Sequence, residues 1–166
     1  MSQKLFRDPI YDYILISRKY KWLLDLVDCP EVQRLRFINQ LGLCSYTYPG
    51  STHTRFSHSL GVLNLMTLCI LHLKQDYSKH FKGLDEKALL AAALLHDIGH
   101  SPLSHATEEI FGNHEDRTIQ IIQSPKTEVN RILCKVSKYF PDRVSALIAK
   151  KSQVKKCHKS PCGKNR

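Results

Sequence analysis

The sequence predicts an all-α fold, a helical bundle entered through a short extended segment. Three observations predict it. Apolar residues recur at helical spacing through most of the 166-residue chain. The run Lys87-Ala88-Leu89-Leu90-Ala91-Ala92-Ala93-Leu94-Leu95 is made of strong helix formers, with Leu and Ala on every side, as in a buried helix. Aromatic and β-branched residues cluster around Pro9, in the stretch from Phe6 to Ile16, and predict a strand or hairpin there.

The elements follow in order. A helix is expected over 19–27. Pro30 starts the next, with Asp28 as its N-cap and Glu31 three residues on, as in a capping box. Val32, Leu35, Ile38 and Leu41 form its apolar stripe, and Gly42 ends it. Residues 45–52 read as a loop. A long helix runs over 55–73, apolar most of the way round, with His58 in its first turn. After a polar stretch at 74–84 comes the buried helix, ending at His96-Asp97. Short helices are expected over 102–111 and 114–123. Ser124-Pro125 breaks the chain, and helices over 128–140 and 142–151 follow.

Composition narrows the function. The net charge is +10, but residues 150–166 hold seven Lys and Arg and no acid. The remainder has 18 bases against 15 acids, so the body is only mildly basic. The tail alone suggests contact with nucleic acid, without the aromatic and basic interleaving of a binding surface. The six cysteines show no disulfide framework, and Cys69 and Cys134 read as small buried hydrophobes. No signal peptide or run of membrane-spanning length is evident, so no membrane is expected, and the chain reads as intracellular, cytoplasmic or nuclear. Cys157, His158 and Cys162 offer three zinc-type donors, but a disordered basic tail explains them more simply.

Eight of the nine histidines lie between His53 and His114. A buried helix ending in His96-Asp97 delivers polar groups to a packed interior, where an unpaired neutral group costs roughly 2–7 kcal/mol. A divalent metal would satisfy them, since imidazole nitrogen and carboxylate oxygen are both good ligands. His58, at the start of a neighbouring buried helix, can reach the same point. Satisfied core histidines remain the alternative. His100 and His105 follow, Glu108 lies one turn beyond His105, and His114-Glu115 opens the next helix. An imidazole beside a carboxylate is an ordinary general acid. His72 and His80 read as surface residues.

Arg55-Phe56-Ser57-His58-Ser59-Leu60-Gly61-Val62 and Leu95-His96-Asp97-Ile98-Gly99-His100-Ser101-Pro102-Leu103-Ser104-His105 together resemble the HD-domain phosphohydrolase superfamily, in its deoxynucleoside triphosphate triphosphohydrolase branch. Gln33-Arg34-Leu35-Arg36, Gln40-Leu41-Gly42, Tyr48-Pro49-Gly50 and Asn113-His114-Glu115 extend the match. The resemblance implies a divalent ion (Fe, Mn, Zn or Mg) on His58, His96 and Asp97. It implies that His100, His105 and His114 surround the scissile phosphate, with Glu108 and Glu115 at neighbouring acidic positions. Arg55 would contact phosphates, and Gln40 and Leu41 would flank the deoxyribose. Lys4, Asp28, Gln33 and Arg36 match a region that binds a guanine nucleotide activator between subunits of a homo-oligomer.

The same resemblance locates a departure. The family's fourth metal ligand is an aspartate on a later helix, and Pro141-Asp142-Arg143 does not reproduce that pattern. Residues 1–150 are therefore expected to be the N-terminal, truncated part of an HD domain, and 151–166 a basic disordered tail. The expected activity is metal-dependent hydrolysis of deoxynucleoside triphosphates to deoxynucleoside and triphosphate. The alternative is a catalytically impaired isoform or remnant that binds nucleotide, nucleic acid or a full-length relative.

Overall fold

The computed structural model describes residues 3–76 and 85–157, the side chains of residues 104–105 and 150–157 excepted. The expected hairpin is present. Strands β1 (Lys4–Asp8) and β2 (Asp12–Ile16) pair antiparallel, with Lys4 opposite Ile16 and Phe6 opposite Ile14. Asp8 Oδ1 accepts the N–H groups of Ile10 and Tyr11 and so shapes the turn. Ile14 and Ile16 face the core, while Leu5, Tyr13 and Leu15 face outward.

Eight α-helices follow among the described residues: α1 (Lys21–Asp28), α2 (Pro30–Gln33), α3 (Arg55–Asp76), α4 (Glu86–Leu95), α5 (Glu108–Phe111), α6 (His114–Gln123), α7 (Glu128–Val136) and α8 (Phe140–Cys157). Three starts carry a side-chain cap on the residue just before the helix. Asp85, Asn113 and Thr127 accept backbone N–H groups from the first turns of α4, α6 and α7. Helices α3 and α4 pack together, and α4 also packs on α8. Leu94, Leu95 and Ile98 are fully buried at the end of α4, beside Leu60 and Leu63 of α3. Phe140 anchors α8 edge-to-face on Trp22, with centroids 5.7 Å apart.

Several expectations are corrected. The helix predicted over 30–41 stops at Gln33 and tightens into a 3₁₀ turn, Arg34–Phe37. Ile38 then becomes extended, because Asn39 bridges to Thr54 and the Arg55 N–H donates to the Ile38 carbonyl at 2.8 Å. Val32, Leu35 and Ile38 are buried, but Leu41 is 50% exposed. Cys29, not Asp28, caps α2; Asp28 ends α1 and pairs with Lys4. Glu31 makes no local box: its Oε1 accepts the Glu128 N–H at 2.8 Å, at the N-terminus of α7. The expected helix over 102–111 is a 3₁₀ turn, Ser104–Thr107, followed by the single turn of α5. Helix α7 ends at Val136, and the last helix begins earlier than expected, at Phe140.

Cys69 and Cys134 are exposed, whereas Cys29 is buried. Burial pushes the Cys29 thiol up to about 12. Helix α3 also corrects the reading that no run reaches membrane-spanning length: it is long and apolar enough by composition, with a mean hydropathy of 1.4 over its best window. Here it serves as a core helix, with Phe56, Leu60, Leu63 and Ile70 turned inward, while Leu65, Leu68 and Leu71 remain exposed. His80 lies outside the described residues, as does the part of the tail beyond Cys157. The boundary expected at 150 falls within α8.

Candidate metal centre and active site

The site forms where α4 runs out. His96 caps the helix C-terminus, and Asp97 and His100 follow in a turn closed by the bond from the His100 N–H to the Asp97 carbonyl, 3.1 Å long. Gly99 is required by close approach. A Cβ there would lie 2.1 Å from the His114 carbonyl oxygen and 2.5 Å from the Thr118 nitrogen. That contact lets α6 press against the turn and brings His114 to the site.

Three ligand atoms converge. His58, in the first turn of α3, places Nε2 3.3 Å from Nε2 of His96. Asp97 Oδ2 lies 3.7 Å from His58 Nε2, and Oδ1 lies 3.4 Å from His96 Nε2. His96 Nδ1 is 2.9 Å from the Ala93 carbonyl, which can only accept. Neutral His96 therefore carries its proton on Nδ1 and presents an Nε2 lone pair, the tautomer a metal requires. Burial alone would push the Asp97 carboxyl up; His96, Arg55, His100 and His58 outweigh that and hold it below the usual carboxylate value. The donor set of two imidazole nitrogens and one ionised oxygen fits a divalent cation. Asp97 also groups with His100 and His114 at similar separations.

The remaining expected residues fall into three groups. Around the centre, the His100 and His114 rings stack at 3.8 Å, and His114 Nδ1 is hydrogen-bonded to Glu108. The sequence pointed to His105 as the partner of Glu108; the structure shows that His114 pairs with Glu108, and the His105 side chain lies outside the described set. Glu115 is buried in the first turn of α6. Arg55 is buried beneath the site, pairing with Asp97 Oδ2 at 2.6 Å and donating to the Gln40 carbonyl at 3.3 Å. Gln40 thus joins the site through its main chain, and the Leu41 side chain is half-exposed. The third group runs along one edge. Lys4 pairs with Asp28, Gln33 donates to the Val27 carbonyl at 2.7 Å, and Arg36 donates to Gln33 Oε1 at 2.8 Å while lying over Phe56.

Sequence reasoning missed Arg34 and Thr118. Arg34 donates to the carbonyls of Ile98 and His100, and Thr118 Oγ1 bonds Gly99 and His96. Arg34 lay within a quoted motif, but nothing in its spacing pointed at the turn. A cleft of about 580 Å³ opens beside His58, bordered by Asp8, Tyr11, Thr52, His53 and Ser57.

These features define a metal-binding, histidine-rich helical site of the HD type. The HD-domain profile matches residues 55–156, and the chain belongs to the HD-domain phosphohydrolase superfamily. It is 43% identical to the uncharacterized protein YwfO of Bacillus subtilis over 90% of this chain and 34% of that protein. It is 33% identical to the deoxynucleoside triphosphate triphosphohydrolase SAMHD1 of Homo sapiens, over 74% of this chain and 21% of that one. A phosphohydrolase from Bacteroides thetaiotaomicron superposes with a TM-score of 0.66 at 35% identity, over 88% of this chain and 34% of that one. A hypothetical protein from Aquifex aeolicus superposes with a TM-score of 0.72 at 33% identity, over 90% and 38%. The chain spans about a third of the length of the first curated relatives it matches.

Proposed function

We propose that this chain carries the metal and phosphate half of a hydrolase acting on deoxynucleoside triphosphates, releasing deoxynucleoside and triphosphate. The observation that supports it most directly is the convergence of His58, His96 and Asp97, with His96 already held in the ligating tautomer. A divalent ion bound there, whether Fe, Mn, Zn or Mg, supplies Lewis acidity toward a phosphoryl oxygen. The chain's own residues do the rest. Arg55 and the imidazoles of His100 and His114 offset negative charge near the phosphate. His114, held through Nδ1 by Glu108, would donate the Nε2 proton of its imidazolium form to the departing 5′-oxygen and be left as the neutral Nδ1–H tautomer. His105 is a second candidate for that proton. Gln40 and Leu41 flank the sugar, and the edge formed by Lys4, Asp28, Gln33 and Arg36 takes a guanine nucleotide activator, between subunits of a homo-oligomer.

A second reading is binding with impaired catalysis, as a remnant or isoform that holds nucleotide, nucleic acid or a longer relative. Its support is that three protein ligands, not four, gather with His58 and His96 among the described residues. One assay separates the two. Inorganic triphosphate is measured from each deoxynucleoside triphosphate with Mn²⁺, Mg²⁺ or Fe²⁺, with and without a guanine nucleotide, in wild type and in His96→Ala/Asp97→Ala. Turnover lost in the double variant supports hydrolysis. Calorimetric binding without turnover selects the second reading. Neither binding nor turnover removes both.

A further inference from the structure

The turn that bears the ligands is gripped from two sides by residues outside the ligand set. On one side Arg34 Nη2 donates to the His100 carbonyl at 2.8 Å and also to the Ile98 carbonyl. On the other, Thr118 Oγ1 accepts the Gly99 N–H at 2.9 Å and donates to the His96 carbonyl at 3.2 Å. Four backbone groups around Asp97 are thereby fixed. Regular helical bonding has ended by this point, and only short turn bonds, such as that from the Ile98 N–H to the Leu95 carbonyl at 3.2 Å, remain. Rotation of these peptide units would swing the Asp97 carboxylate and the His100 ring away from His58 and His96. The two contacts oppose that rotation from opposite faces.

The Arg34 placement is costly in itself. Its guanidinium is half-buried, and burial and the nearby Arg117 both disfavour its charge, with Glu31 partly compensating. Both bonds leave one nitrogen, Nη2, whose two N–H groups are fixed in the guanidinium plane, whereas a lysine ammonium rotates freely and does not hold that pair of directions. Gly99 completes the arrangement, because the space a side chain would fill is taken by His114 and Thr118 backbone.

We infer that Arg34 is a positioning residue for the metal ligands, with Thr118 as its counterpart across the turn. The inference rests on the metal-site reading above. Residues that orient ligands typically change metal affinity about 10- to 100-fold when replaced.

The test is titration of the full 166-residue chain with Co²⁺, followed by its visible absorption, beside a thermal melt of each variant. Arg34→Lys keeps the charge and loses the planar Nη2 donor pair. It is expected to stay folded, to bind Co²⁺ about 10- to 100-fold more weakly, and to give an altered spectrum. Thr118→Val shifts affinity the same way, and Thr118→Ser restores it. Arg131→Met serves as control, since Arg131 also donates to a backbone carbonyl, that of Lys126, away from the site; its affinity stays at the wild-type value. Wild-type affinity in folded Arg34→Lys overturns the inference, and so does a loss that merely follows the unfolded fraction.

If the wild-type chain binds no Co²⁺, the metal-site reading fails, and Arg34 is judged on metal-free protein by amide hydrogen exchange. Protection at Ile98, Gly99 and His100 that falls at least about tenfold in Arg34→Lys, with α7 unchanged, supports a positioning role for the turn. Unchanged protection there overturns it.

Discussion

Two adjoining segments carry the site and are built in opposite ways. The turn at 96–100 is locked into the core: Ile98 and His100 are fully buried, and Arg34 and Thr118 hold its backbone. The segment just after it, 102–112, lies on the surface. Ile110 is 77% and Phe111 54% exposed, and Leu103 has a φ of 65°, a left-handed conformation costing a branched residue about 1–2 kcal/mol. Among the described residues, hydrogen bonds between Thr107 Oγ1 and Ser101 Oγ, at 2.7 Å, and between Glu108 and His114 tie this segment back to the centre. The turn at 96–100 is thus fixed by packing, whereas Glu108, the partner of His114, belongs to the outer segment.

The sharpest way to break that contrast is Gly99→Ala. Its Cβ would meet backbone at 2.1 Å, and backbone of α6 cannot move cheaply. The expected loss exceeds about 4 kcal/mol by urea denaturation, the range of exceptional substitutions. Near-wild-type stability would mean the turn is not locked. The matched change outside is Gly112→Ala. Gly112 has a φ of 81° and a ψ of 174°, a region open essentially to glycine, but clear space around it, so the loss should be about 1–3 kcal/mol, from backbone strain alone.

Asp97→Ala comes next, with an expected cost of about 3 kcal/mol, because it strands the buried charge of Arg55. Adding Arg55→Leu should recover most of it; no recovery in the double variant would show that the pair is not the source. The pH dependence has a definite sign. The Asp97 pKa is lowered by folding, so its contribution is present above the unfolded value and is lost as pH falls through the folded one. Acid titration of wild type against the double variant reads that difference, below about pH 4.

Cys29 gives a smaller effect of opposite direction. Its thiol pKa is raised by folding to about 12, so its contribution is present below the unfolded value of 9.0 and declines as pH rises through that window. Relative to Cys29→Ala, wild-type stability should fall by about 1.4 kcal/mol per pH unit above 9. Site-resolved alkylation at neutral pH should label Cys44, Cys69 and Cys134 and spare Cys29. The smallest expected effect is Ile110→Ser, within about 0.5 kcal/mol. A larger loss would show that the outer segment is packed after all.

What the sequence made legible was whatever local chemistry decides. Helix α4 was readable because its residues are helix formers throughout. Helix α6 was readable up to the break at Ser124-Pro125, and α7 from its amphipathic spacing, though neither cap was foreseen. The convergence of His58, His96 and Asp97 was readable because His96 and Asp97 sit at the end of one buried helix and His58 at the start of its neighbour. What stayed hidden was decided at a distance. The stripe through Leu41 failed because a bridge to Thr54 pulls Ile38 and Asn39 into extended structure. The link from Glu108 to His114 was hidden as well, because it crosses from the single turn of α5 to α6, six residues on and outside any one helix. Cys69 and Cys134 lie in helical patterns whose outward face only the packing of neighbours could reveal.

The bond from Glu31 to the Glu128 N–H joins residues 97 positions apart. During synthesis the N-terminal elements leave the ribosome first, so α1 and α2 wait with this carboxylate in place until α7 emerges. Helix α7 then finds an external anion for its first turn, alongside its own Thr127 cap. Such a long-range closure is entropically slow to form. It closes a loop that contains His58, His96, Asp97, His100 and His114, so the whole candidate centre lies inside one long-range closure between the first and last thirds of the described chain.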